Sequence, residues 1–270
     1  MSETEAPLKV QQLWQGYRLA SQGGHRQIGL YGWALRDISF EVKRGETLGV
    51  LGPNGSGKTT LLQVLGGVLR PTQGTMTANG RVAALVDLFA AFNRELTGHE
   101  NLRLAGVLTG YSRRMLRSRY DEIVAFSGLS EEKLNQPIRT YSSGMALRLG
   151  FSLVACSEPD ILLVDEILSV GDVHFKEACA ARCQELAKGG TAVVMASHDL
   201  KSISQMCDHV MLLDTGSVQY KGSVATGISR YKKLLENRDN VADPEIGRSR
   251  GGRRGQADQD NSAEEGESLP

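Results

Sequence analysis

Apolar positions along the chain recur in three patterns. Residues 34–42 alternate, with Leu35, Ile38, Phe40 and Val42 as the apolar set. The extra residue between Leu35 and Ile38 predicts a strand interrupted by one β-bulge. Residues 8–14 alternate more loosely. Short continuous apolar runs at 46–51, 160–165 and 191–196 predict strands covered on both faces. Helical spacing fills much of the rest: 60–65, 101–108, 115–127, a start near Ser142, 174–188 and 201–207. Thr97-Gly98-His99-Glu100 has the spacing of a capping box. Gly-containing turns are expected at 43–46 and 71–74, and a Gly-rich insertion at 19–33. Asn79-Gly80, inside an extended stretch from 75 to 88, predicts a hairpin. A second pairing is expected between 210–213 and 217–220 across Asp214-Thr215-Gly216. Buried strands alternating with helices imply an α/β fold with a mainly parallel sheet. Residues 7–50 read as strands and turns, and 97–150 as helices.

Composition changes the picture at the C-terminal end. Residues 241–270 hold almost no large apolar side chains; 248–254 are basic and Gly-rich, 258–267 acidic. Such a segment buries too little surface to offset its ordering entropy, and a disordered tail is expected. The other 240 residues are expected to form one domain. The 270-residue chain is 40% hydrophobic with net charge +0, which argues against nucleic-acid binding. Its first ten residues lack the apolar core of a signal peptide. No apolar run reaches the ~20 residues that span a bilayer. The four cysteines fit a reducing compartment. Cys179 and Cys183 stand four apart on one helix face, where packing is favoured over a metal pair.

The chemistry is concentrated at Gly52-Pro53-Asn54-Gly55-Ser56-Gly57-Lys58-Thr59, which matches G-x-x-x-x-G-K-[ST], the Walker A phosphate loop. A buried strand precedes it and a helix, continuing through Thr60, follows, as the motif requires. Glycines let backbone amides approach an anion, and the new helix aims its positive end there. Lys58 adds a point charge for the outer phosphates and Thr59 a hydroxyl for Mg²⁺. The run 161–164 ends in Asp165-Glu166, at the carboxyl edge of the sheet. Asp165 is placed to orient Mg²⁺ and Glu166 to polarise an attacking water. His198, just past the next buried strand, is placed to reach a γ-phosphate.

Tyr141-Ser142-Ser143-Gly144-Met145 resembles the signature loop of ABC-type ATPases, in a Y-S-S-G-M form rather than the commoner L-S-G-G-Q. Hydroxyls, exposed amides and a helix start make a second anion cradle; a plain N-cap is the structural alternative. The resemblance, over about residues 8–236, implies a P-loop fold of ABC type: a mainly parallel core sheet, an N-terminal antiparallel β subdomain, and a helical signature subdomain at about 89–155. It implies that Ser142, Ser143, Gly144 and Met145 serve ATP held by a second copy, in a head-to-tail homodimer. It places Asp172 in the D-loop and Asp87 at the Q-loop position, where Gln is usual and Asp is shorter. It calls for an aromatic that stacks on adenine, for which Tyr17, Tyr31 and Trp33 compete.

Residues 92–101, 136–149 and 165–172 resemble the polysaccharide-export branch, the partners of capsule, O-antigen and teichoic-acid exporters. That resemblance implies an ATP-hydrolysing subunit at the cytoplasmic face of the inner membrane, driving a separate polytopic permease. Phe89 and Phe92 would line the groove for a permease helix, and Arg113, Arg114, Arg117 and Arg119 form a solvated face. No strand-rich C-terminal glycan-recognition domain is expected. The competing classes are a non-transport ABC protein and a regulatory nucleotide-binding module.

Overall fold

The structure, a computed structural model, describes residues 6–18, 31–84, 92–165 and 172–242. The chain divides into two compact units, residues 1–232 and 233–270. Of the expected tail, Val241 and Ala242 end the last helix, and residues 243–270 lie outside the described residues.

In the first unit, strands β1 (Leu8–Arg18), β2 (Tyr31–Val42) and β4 (Gln73–Ala78) form an antiparallel sheet in the order β2-β1-β4. The bulge expected near Asp37 is present. Leu13 opposes Ile38 and Gln15 opposes Leu35, and Asp37 takes the left-handed conformation at φ 49. The extra residue restores Leu35 to the face shared by Ile38, Phe40 and Val42, all buried.

The second sheet contains β3 (Thr47–Leu51), β5 (Val82–Ala84), β6 (Ile161–Val164), β7 (Ala192–Ala196), β8 (His209–Asp214) and β9 (Ser217–Ser223), in the order β5-β6-β7-β3-β8-β9. Its first five strands are parallel, and β9 returns antiparallel through a Thr215-Gly216 turn with φ 45 and 79. Strands β3, β6 and β7 are buried throughout, as their unbroken apolar runs require. Helix α1 (Lys58–Leu65) lies between the sheets. Leu61, Leu62, Val64 and Leu65 join one core cluster with Leu13, Leu35 and Phe40 on one side and Val50, Leu163 and Val194 on the other.

One expectation fails. Asn79-Gly80 does not make a hairpin: β4 pairs with β1, whereas β5 pairs in parallel with β6. The turn is a crossing between sheets, held by Asp160, whose carboxylate accepts from the Arg81 amide at 2.9 Å and pairs with Arg44 at 3.4 Å.

The helical layer contains α2 (Gly98–Leu108), α3 (Arg113–Ser127), α4 (Glu131–Leu134), a 3-10 turn (Ile138–Thr140) and α5 (Ser143–Ala155). Thr97 and Glu100 form the predicted capping box of α2. A second cluster of Phe92, Leu102, Leu116, Ile123, Leu134, Leu149 and Leu153 holds this layer together. Helices α6 (Val173–Lys188), α7 (Leu200–Met206) and α8 (Val224–Ala242) complete the described elements. Rings of Phe126, Phe151 and Phe175 tie α3, α5 and α6 at centroid distances of 5.8–6.2 Å. Cys179 and Cys183 are buried on α6, and burial pushes the Cys183 thiol up to about 12, which suits packing.

Asp160→Ala should lower the unfolding free energy by about 1–3 kcal/mol, because it orphans the Arg81 amide. Asn79→Ala should stay within about 0.5 kcal/mol. Urea titrations check both; equal effects would mean the crossing is set by the turn residues instead.

Candidate functional site

Strand β3 delivers the chain at Leu51 into a loop whose backbone is pressed against two walls. A Cβ at Gly52 would sit 2.3 Å from the Leu213 carbonyl oxygen, and one at Gly57 2.7 Å from that of Ala34. Gly57 also holds φ 106, so only glycine fits there. The β8–β9 turn closes the back: the Gly216 amide donates to the Ser56 carbonyl at 3.0 Å, and the Arg36 amide to the Gly216 carbonyl at 2.7 Å. The front is open. Asn54 and Gly55 are exposed, and a Cβ on Gly55 would meet nothing within 4 Å.

The loop's polar groups face inward. Lys58 is 8% exposed, and its ammonium donates to the carbonyls of Gly52 at 2.7 Å and Pro53 at 3.3 Å. The Ser56 hydroxyl is buried without a hydrogen-bond partner. Helix α1 starts at Gly57 with no side-chain cap and no acidic residue in its first turn. By contrast, Thr97, Ser112, Ser130, Ser142, Asp172 and Asp199 cap α2 to α7 with their own oxygens. First-turn amides have no acceptor within their helix, so α1 keeps its set for an external anion. An orphaned hydroxyl, an inward ammonium and an uncapped helix start fit a polyphosphate.

Strand register brings the remaining candidates to the same edge. Val50 lies opposite Ala196, and Val164 opposite Met195. Asp165 therefore stands level with Ala196, and His198 two residues beyond, beside the loop's entry at Gly52. Since β7 separates β3 from β6, Asp165 lies about two strand spacings, ~10 Å, from the loop. Asp165 and Ser197 line one cleft of about 280 Å³. Thr59 is exposed at the start of α1. Across that spacing the Thr59 hydroxyl and the Asp165 carboxylate reach a common Mg²⁺ only with water between them, which suits an ion that takes few protein ligands and completes its shell with phosphates and water. Asp87, Phe89, Glu166 and the segment before Asp172 lie outside the described residues, as does the Tyr31 side chain.

Of the aromatics, Tyr17 is 46% exposed and its hydroxyl lies 3.5 Å from that of Thr60 on α1. Trp33 packs edge-on against Trp14 at 5.3 Å. Among the described side chains, Tyr17 is thus the candidate ring that contacts the start of α1.

The signature residues open α5, at a distance in sequence from the loop. The Ser142 hydroxyl accepts from the Met145 amide at 3.2 Å, so it serves as an N-cap in this chain. Ser143 is exposed, and a Cβ on Gly144 would find only the Ser142 hydroxyl, at 3.9 Å. Asp172 is engaged internally: it caps α6 through the Phe175 amide at 3.0 Å and pairs with Arg148 of α5. The Phe175 amide first, then the Arg148 guanidinium, hold its carboxyl below the usual range. Arg148 also lies 5.2 Å over the Phe175 ring. The sequence reading overlooked Arg148, although a lone Arg two turns into an apolar helix marks a buried-side partner.

Phe92 corrects another expectation. It is only 8% exposed and belongs to the helical core, so it does not line an open groove. Among the described residues, the exposed large apolar positions of this layer are Leu104 and Val107, at 39% and 58%, three apart on α2. Arg113, Arg114 and Arg117 are solvated as expected, while Arg119 pairs with Glu122 and Glu158.

Residues 35–169 match the ABC transporter family profile. The chain is 42% identical over 202 residues to ABC transporter protein AbcA of Aeromonas salmonicida, covering 75% of this chain and 65% of that one. It is 40% identical to the O-antigen export system ATP-binding protein RfbB of Klebsiella pneumoniae, covering 75% and 82%. Identity is 37% to the teichoic acids export ATP-binding protein TagH of Listeria monocytogenes, covering 76% and 60%. The chain thus spans just under two thirds of AbcA and of TagH. Among solved structures, an ATP-binding subunit of an ABC transporter superposes with TM-score 0.70 at 25% identity, covering 87% and 99%. The dimeric post-hydrolysis cassette MJ0796, bound to ADP and Pi, gives 0.68 at 21%, covering 80% and 98%, a likeness of fold.

Lys58→Ala should weaken ATP binding about 10-fold or more, the cost of a charge-assisted contact, without lowering the thermal midpoint comparably. Equilibrium titration with a fluorescent ATP analogue measures this. Unchanged affinity would remove Lys58 from the phosphate site.

Proposed function

Because this chain belongs to the ABC transporter family of ATP-binding proteins, we propose that it is the ATP-hydrolysing subunit of an exporter. The cargo is a polysaccharide or lipid-linked glycan, and the force is delivered to a separate polytopic permease. The observation that carries the nucleotide reading is the uncapped start of α1 within the Gly52–Thr59 loop, with Asp165 and His198 at the same sheet edge. The glycan reading is supported by the exporter names of the RfbB and TagH relatives. Among the described residues no helix is long and apolar enough to cross a membrane, and in this reading the permease holds the subunit at the cytoplasmic face.

In the proposed mechanism the amides of residues 55–60 and the Lys58 ammonium hold the β- and γ-phosphates of ATP. The ammonium exchanges its Gly52 and Pro53 carbonyls for phosphate oxygens. Tyr17 stacks on adenine. Thr59 and Asp165, with Asp87, would hold Mg²⁺, which supplies charge neutralisation across the phosphates. Glu166 accepts a proton from the attacking water, and His198 donates to the γ-phosphate. Positioning and charge account for catalysis of this kind. A second copy, docked head to tail, presents Ser142, Ser143, Gly144 and Met145 to the same phosphates; hydrolysis releases the pair. Leu104 and Val107 on α2 contact the permease's cytoplasmic helix.

Glu166→Gln should bind ATP at near wild-type affinity, accumulate as a dimer on size exclusion, and lose at least about 100-fold in kcat, as removal of a general base does. Wild-type turnover would refute the assignment. Ser56 is 2% exposed, so the reporter for the dimer is the exposed Asn54. Asn54→Cys with Ser143→Cys should form a disulfide between chains only when ATP is present. A Leu104→Asp, Val107→Asp double variant should abolish glycan export and keep basal ATPase activity. Intact export would exclude that face.

A further inference from the structure

The segment that opens α2 and the segment that leads into the signature turn are bound into one body. Thr97 and Pro137 form an isolated antiparallel bridge. The Gly98 amide donates to the Gln136 carbonyl at 3.3 Å, the Ile138 amide to Leu96 at 2.9 Å, and the Arg139 amide to Arg94 at 3.0 Å. Arg139 also pairs with Glu95 at 3.3 Å. Asn101, fully buried, braces the first segment from behind. Its side-chain amide donates to the carbonyls of Asn93, Leu96 and Thr97 at 2.9–3.0 Å, and its oxygen accepts from the Asn93 amide at 2.7 Å.

Tyr141 closes this assembly directly before the signature turn. Its hydroxyl donates to the Lys133 carbonyl at the end of α4, at 2.8 Å. The Lys133 ammonium lies 5.4 Å over its ring and donates to the Thr140 carbonyl at 3.2 Å and to Gln136 at 2.8 Å. Gly98 leaves room for the phenol: a Cβ there would stand 2.4 Å from the Tyr141 hydroxyl. A leucine in place of Tyr141 offers neither the hydroxyl that reaches Lys133 nor a π-face for its ammonium.

We propose that Tyr141 is a positioning residue for the signature turn, seated between Lys133 and Gly98 so that Ser143 and Gly144 are held in the place a second copy's phosphates require. This rests on the two-copy ATP reading above. The ladder makes residues 93–98 and 136–141 move together, so a displacement of the α2 start carries the signature turn with it. The contacts of Tyr141 lie with Lys133 and Gly98 in the helical layer, apart from the Lys58 site. Its loss should therefore slow the step that needs the paired copies and spare binding to the Lys58 site.

The test uses the full chain and four variants: Tyr141→Phe, Tyr141→Leu, Gly98→Ala, and Tyr141→Phe with Gly98→Ala. Each is assayed for ATP affinity at concentrations too dilute for pairing, for thermal midpoint, for kcat and KM, and for the rate of the ATP-dependent disulfide between cysteines at positions 54 and 143. Tyr141→Phe should lower kcat and the cross-linking rate together by about fivefold, the worth of one hydrogen bond, with ATP affinity held within about twofold. Gly98→Ala, whose Cβ would meet the phenol at 2.4 Å and Leu134 at 3.0 and 3.1 Å, should lower both at least as far. The double variant should fall no more than about twofold below Gly98→Ala alone, since the closest clash, at 2.4 Å, is with the hydroxyl it lacks, while the contacts with Leu134 at 3.0 and 3.1 Å are common to both. Tyr141→Leu should fall furthest. An unchanged kcat in Tyr141→Phe overturns the proposal, as does a fall matched by equal losses of ATP affinity and midpoint. A wild-type chain without turnover, together with no ATP-dependent cross-link in the otherwise unaltered Asn54→Cys, Ser143→Cys chain, would instead overturn the two-copy reading beneath it.

Discussion

The close approach of three backbone segments behind the phosphate loop governs the rest of the site. Gly57 lies against Ala34 of β2, Gly52 against Leu213 of β8, and Gly216 donates to the loop at Ser56. Side chains at those glycines would force the loop outward. Pinned in this way, the chain must enter α1 through a left-handed glycine, which carries no oxygen to cap the helix. The same constraint that shapes the loop thus leaves the helix start open to an anion. The apolar circumference of α1, wedged between both sheets, keeps that helix from shifting to satisfy itself.

A second link joins the signature helix to the start of α6. Arg148 of α5 reaches Asp172, which caps α6, and lies over the Phe175 ring. Phe126, Phe151 and Phe175 pack around the same junction. The ion pairs near it, Arg119 with Glu158 and Arg182 with Glu122, involve half-exposed carboxylates and are each worth about 1 kcal/mol or less. Buried aromatic area therefore carries the junction, and the charges set its register.

The sequence discloses most clearly whatever depends on local chemistry. The Walker A spacing, the capping box at Thr97 and the bulge at Asp37 follow from residue types within a few positions. What it conceals depends on distant partners. Asn79-Gly80 has the form of a hairpin turn, yet the next strand pairs with β6 in the other sheet, and Asp160 secures the crossing. Phe92 looks like an exposed aromatic until Leu102, Leu116 and Leu134 close over it. Helix α8 carries Ile228, Tyr231, Leu234 and Leu235 at helical spacing, a signal that the strand-by-strand reading passed over. Short α4 has too few residues for any periodicity.

The central claim is that an external triphosphate completes the open start of α1. Hydrogen exchange of the wild-type chain with and without ATP and Mg²⁺ tests it directly. Amides of residues 55–60 should gain protection on nucleotide addition, while the side-chain-capped starts of α3 and α4 should exchange as before. Unchanged exchange at 55–60 under saturating ATP, with protection confined to other segments, would contradict the account.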